Sequence, residues 1–124
     1  MTPEKTKQLF EEFPTLYRGK DKPISESLMA FGFECGDGWF NLIRDLSAKI
    51  MSAEGGDKVE VMQVKEKFGG LRYYVDNTTD EIDVIIRHFE NEAELTCEDC
   101  GSVGKIKSYK GWLTCLCDNC EGER

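Results

Sequence analysis

A chain of 124 residues with 40% hydrophobic and 32% charged side chains has the makeup of a folded globular protein, short enough for one core with at most a small appended module. No apolar run approaches the roughly 18 residues of a membrane helix, and no basic-then-apolar leader opens the sequence, so an intracellular protein with reduced thiols and no membrane partner is expected. The net charge of −8 is uneven, −2 over residues 1–78 and −6 over residues 79–124, and so acidic a C-terminal end repels duplex phosphate instead of releasing its counterions.

In chain order, Thr2-Pro3-Glu4 reads as a helix start with a Thr cap, a proline in the first turn and an acid near the positive end of the dipole. Leu9, Phe10 and Phe13 form its apolar side, and Pro14 ends it. Arg18 to Pro23 is a charged loop punctuated by Gly and Pro, followed by a short helical turn within Ile24 to Ala30. Cys35-Gly36-Asp37-Gly38-Trp39 is a sharp turn into a second helix, with Asp37 as the expected cap. Trp39, Leu42, Ile43, Leu46 and Ile50 recur along one helical stripe, which Gly55-Gly56 closes.

Val59 to Val75 predicts a β-hairpin turning at Gly69-Gly70. That turn sets Lys67 opposite Arg72 and Lys65 opposite Tyr74. It also sets Met62, Val64, Phe68, Leu71, Tyr73 and Val75 on an inner face, with Glu66 as a misfit. Thr78 and Glu81 form an expected capping box for a third helix, whose stripe is Ile82, Ile85, Ile86, Phe89 and Ala93. The predicted fold is α+β: amphipathic helices on a small antiparallel hairpin or sheet, with a body over residues 1–95 and a four-cysteine ribbon over 96–124 packed as one compact unit.

The ribbon rests on Cys97-Glu98-Asp99-Cys100 and Cys117-Asp118-Asn119-Cys120. A two-residue gap lets one tight turn aim two thiolates at one point, and a hairpin between the pairs brings all four together. Cys97, Cys100, Cys117 and Cys120 are therefore the expected ligands of one structural Zn2+. Four cysteines close the coordination shell, leaving no position for substrate. Cys115 lies two residues before a ligand but lacks the turn geometry of the pair Cys117/Cys120, and Cys35 reads as a small core side chain. His88 is the single histidine and falls at the edge of its helix stripe, a surface position. No catalytic triad, nucleotide-binding glycine motif or hydrolase helix is present in the sequence, and no enzymatic activity is expected.

Lys65, Lys67, Arg72 and Tyr74 share the outer face of the hairpin. Like charges set directly across strands repel by about a few tenths of a kcal/mol, so this cluster calls for a neutralising group. Either a phosphate-bearing small molecule or an acidic segment of the same chain fills that role, and single-stranded nucleic acid is a further candidate for this face.

Two strings, Phe33-Glu34-Cys35-Gly36-Asp37-Gly38-Trp39-Phe40 and Gln63-Val64-Lys65-Glu66-Lys67-Phe68-Gly69-Gly70-Leu71-Arg72-Tyr73, together with the late Cys-x2-Cys-Gly, resemble a family of small uncharacterised proteins encoded by bacteriophages and prophages. The likeness covers roughly residues 30–120. It implies a phage-related intracellular protein and supplies no catalytic residues. Together these readings lead to the expectation of a zinc-ribbon protein that binds a host protein, such as a defence or transcription component.

Overall fold

The computed structural model describes all 124 residues. Helix α1 spans Pro3–Glu12, and the Thr2 hydroxyl accepts the Lys5 amide as the sequence predicts. After a 3-10 turn at Arg18–Asp21 and another at Met29–Phe31, strand β1 takes Phe33–Glu34. Helix α2 spans Phe40–Ser52 and stops just before Gly55, whose φ of 82° reverses the chain. Strands β2 (Glu60–Lys67) and β3 (Gly70–Asp76) form the hairpin, and α3 spans Asp80–Ala93. The ribbon consists of β4 (Lys105–Tyr109), β5 (Trp112–Leu116) and a short α4 (Asp118–Gly122). The fold is α+β. No helix is long and apolar enough to cross a membrane.

The central sheet has three strands in the order β1-β2-β3, with β1 parallel to β2 and β3 antiparallel to it. Strand β1 is too short for any alternation to announce it. One core cluster joins the stripes of α2 and α3 to Val64, Leu71 and Tyr73 on the inner sheet face. The helix periodicities located that core, because residues one turn apart share a face whatever they pack on.

The hairpin register differs from the sequence expectation. Its two-residue loop is Phe68-Gly69, not Gly69-Gly70, with φ of 55° and 82°, the two positive values of a primed turn. The Glu66 carboxylate accepts the Gly69 amide at 2.7 Å. Lys65 therefore pairs with Arg72, Val64 with Tyr73 and Gln63 with Tyr74, while Lys67 faces Gly70. Facing positions keep their parity, so Lys65, Lys67, Arg72 and Tyr74 still share the outer face. Phe68 moves from the inner face to the exposed tip. A bulge between Val61 and Gln63 turns Val61 inward, where it is fully buried, and takes Met62 out of the core.

Two caps also differ. Thr79, not Thr78, caps α3: its hydroxyl accepts the Ile82 amide at 3.1 Å, while Thr78 donates to Asp83 at 2.9 Å. Asp37 does not cap α2, which grows out of a 3-10 turn at Asp37–Trp39; its carboxylate accepts the Thr2 amide at 2.8 Å instead.

Polar groups inside the body are all partnered. Tyr17 shares its hydroxyl with Ser47 at 2.7 Å and Tyr73 at 2.8 Å. Burial pushes both phenols up, out of reach of ionisation at neutral pH. Glu60 is buried and clasped by Lys22 Nζ at 2.9 and 3.0 Å, with Arg18 Nε at 3.6 Å. This ties the loop after α1 onto β2.

Candidate metal centre

The first cysteine pair is a tight turn. The Cys97 amide donates to the Ser102 carbonyl at 2.7 Å, and the Gly101 amide donates back to the Cys97 carbonyl at 2.9 Å, with Gly101 at φ 84°. The second pair opens α4: Cys117 stands at its N-terminus, and its sulfur accepts the Cys120 amide at 3.4 Å. The β4–β5 hairpin, closed by a primed turn at Lys110-Gly111, carries one pair to the other.

The Sγ atoms of Cys97, Cys100, Cys117 and Cys120 all lie within 4.8 Å of one another, and Cys100 and Cys117 are 3.7 Å apart. A tetrahedral centre with metal–sulfur bonds of about 2.3 Å has sulfur–sulfur edges of about 3.8 Å. The four cysteines expected from the sequence thus form one cluster that fits a metal ion with a complete thiolate shell. Four thiolates so close cannot all ionise unaided, and a bound cation is what would let them. Hydrogen bonds from Ser102 pull the exposed Cys100 thiol down to about 6, and bonding to Cys100 and then Cys117 holds the Cys120 thiol well up. Outer contacts brace the shell: Arg124 pairs with Asp99 at 2.8 Å, and Lys107 pairs with Asp118 at 3.1 Å and with Glu121.

Cys115 stands apart from the cluster. It is buried in the main core, with carbonyls of Thr96 at 3.2 Å, Glu94 at 3.3 Å and Ala93 at 3.5 Å around its sulfur. Burial pushes its thiol up to about 11. Cys35 is likewise a core side chain, its thiol raised to about 12 by burial. His88 is a surface residue, 3.1 Å from Glu92 and edge-on to Phe89.

What seats the centre on the body leaves no mark in the local pattern of either segment. Gly36 and Gly38 face the Cys97-Glu98 peptide so closely that a Cβ on Gly36 would collide with the Glu98 carbonyl, and one on Gly38 with the Cys97 carbonyl. The Gly38 amide donates to the Glu98 carbonyl at 2.7 Å, and the Gly36 amide to the Glu98 carboxylate at 2.8 Å. Trp39, fully buried, donates its indole N–H to the Thr96 carbonyl at 2.9 Å. The glycine-flanked turn, legible as a helix entry, is in fact the socket of the first metal turn. Only the pairing of Gly-x-Gly-Trp with a distant Cys-x2-Cys hinted at it.

The outer-face residues Lys65, Lys67, Arg72 and Tyr74 sit together on the sheet, away from the cysteines, and none of the three cations forms an ion pair. Comparison with protein-family models, with curated proteins and with solved structures returned no match.

Proposed function

We propose that this chain holds one structural zinc ion on Cys97, Cys100, Cys117 and Cys120, and that it works without catalysis, by docking the clamped ribbon on another protein. Zinc is the ion that a complete four-thiolate tetrahedron suits best, and a filled shell leaves no site for an activated water. The observation that carries the docking reading is the exposure of large apolar side chains on the ribbon and at its junction with the body: Val103 is 86% exposed, Trp112 77% and Leu113 47%, with Leu95 at the junction 64%. A metal-braced hairpin presents such groups with little ordering cost on binding, and an exposed tryptophan is the side chain best suited to anchor an interface. With −6 over residues 79–124, the matching surface of the partner is basic. The resemblance to phage-encoded proteins directs the search to a bacterial host protein.

Metal analysis of the purified chain should return about one zinc per chain, and Cys97→Ser should lose it. The immobilised chain should retain a host protein that Trp112→Ala releases. A partner held equally by Trp112→Ala, or none at all, would sink the docking reading.

A further inference from the structure

The outer face of the central sheet carries a row of cations that the proposed docking through the ribbon does not use. Helices α1, α2 and α3 all contribute to the core behind the inner face, while on the outer side Lys67 and Tyr74 are exposed and Lys65 and Arg72 partly so. On it, Lys65 and Arg72 are directly paired across the strands, Lys67 lies one outward position further along β2, and Tyr74 stands beside Gln63. Glu34 on β1 is in register with this row, opposite Lys65, and the exposed Asp76 lies two residues beyond Tyr74 on the same face of β3. The three cations outnumber the two acids of this face, Glu34 and Asp76, on a protein of net charge −8. The cross-strand pair Lys65/Arg72 is a repulsive arrangement that a bound anion relieves.

The aromatic component is next to the cations. Tyr74 is 44% exposed and lies two residues from Arg72 on the same strand face, about 7 Å along β3. From this juxtaposition we infer that the outer sheet face binds single-stranded nucleic acid, with a base stacked on Tyr74 and backbone phosphates on Arg72, Lys65 and Lys67. A π-face beside a short row of cations is what a sequence-tolerant single-strand platform requires. The shape of the surface favours a strand over a mononucleotide. Small ligands need a concave site that buries most of their surface, whereas these four residues stand on neighbouring strands of one sheet face. A strand laid over a flat face gathers its contacts one nucleotide at a time.

The test is fluorescence anisotropy of a labelled, mixed-sequence single-stranded DNA titrated with the zinc-loaded full chain at several salt concentrations. Three phosphate contacts predict a slope of log K against log salt of about −2. Lys65→Ala with Arg72→Ala should cut that slope to about −0.7, that of the one remaining contact, and abolish binding above low salt. Tyr74→Ala should weaken binding by about tenfold, with Tyr74→Phe restoring it. Lys49→Ala with Lys58→Ala removes the same charge elsewhere on the body and should weaken binding far less. Trp112→Ala, on the ribbon, should leave binding unchanged. All five variants alter surface or partly exposed positions, and an unchanged melting curve confirms that each is folded; if the alanine pair fails that check, Lys65→Gln with Arg72→Gln takes its place. The inference is overturned by no salt-dependent binding, by equal losses in the two lysine-containing double variants, by a loss confined to Trp112→Ala, or by a mononucleotide that competes as well as the strand.

Discussion

Gly38 shows how much can hang on the absence of one methyl group. Its Cα lies against the Cys97 peptide, where any Cβ would meet the Cys97 and Glu98 carbonyls. Backbone cannot give way as a flexible side chain can, so Gly38→Ala should cost about 1–3 kcal/mol, read by denaturant unfolding. It should also loosen the metal, seen as faster transfer to a chelator, because the displaced peptide carries a ligand. Among the cysteines, position in the pair decides the outcome: Cys97→Ser should release the metal, while Cys115→Ser should keep about one ion per chain in metal analysis. Cys115 points into the core toward the end of α3, away from the other sulfurs.

At the level of elements, the β2–β3 hairpin and its neighbour α3 carry two expectations. Phe68 pays a left-handed backbone at φ 55° without gaining burial. Replacing it by asparagine, which tolerates that conformation and precedes Gly69 in the favoured Asn-Gly turn, should raise stability by about 0.5–1 kcal/mol in denaturant unfolding. Glu90 on α3 accepts the Tyr73 amide at the free edge of β3, at 3.1 Å. Partial burial raises its pKa, an effect that the Tyr73 hydrogen bond and then Arg72 only partly offset. A carboxyl raised on folding favours the folded state while protonated and loses that contribution as pH rises through its folded pKa. Glu90→Gln keeps a carbonyl for Tyr73 but has no charge to desolvate. The variant should therefore match or exceed the parent's stability at neutral pH. Paired unfolding curves should show any such advantage vanish as pH falls below the carboxylate range.

Across the whole molecule, the ribbon and the body share structure. Cys115 belongs to the main core, Ile106 packs against it, and Gly69 at the tip of the β2–β3 hairpin lies against Ile106 and Thr114. With the Trp39 and Gly36/Gly38 contacts, these make the division near residue 95 a boundary in sequence more than in packing. Chelating the metal should lower the melting temperature of the entire chain in a single calorimetric transition, because binding energy spent on the ribbon is folding energy for what it touches. An unchanged body transition after metal removal would show instead two independently stable units.

The sequence by itself determined the four clustered cysteines, the apolar stripes of α2 and α3, the hairpin and the common face of Lys65, Lys67, Arg72 and Tyr74. Each follows from a local repeat: two residues between thiols in a turn, 3.6 per helical turn, two per strand. The misplaced features were those a local pattern leaves degenerate. Gly69-Gly70 and Phe68-Gly69 both close a hairpin of the same parity, and the structure chose the one that the Glu66 carboxylate bonds. Thr78 and Thr79 are equally good caps until the helix is placed. The parallel strand β1, the turn of Cys115 toward α3 and the seating of Cys97-Glu98 on Gly36 and Gly38 were decided only by tertiary structure. In each, the deciding partner lies tens of residues away, and no periodicity in either segment records which segment will arrive.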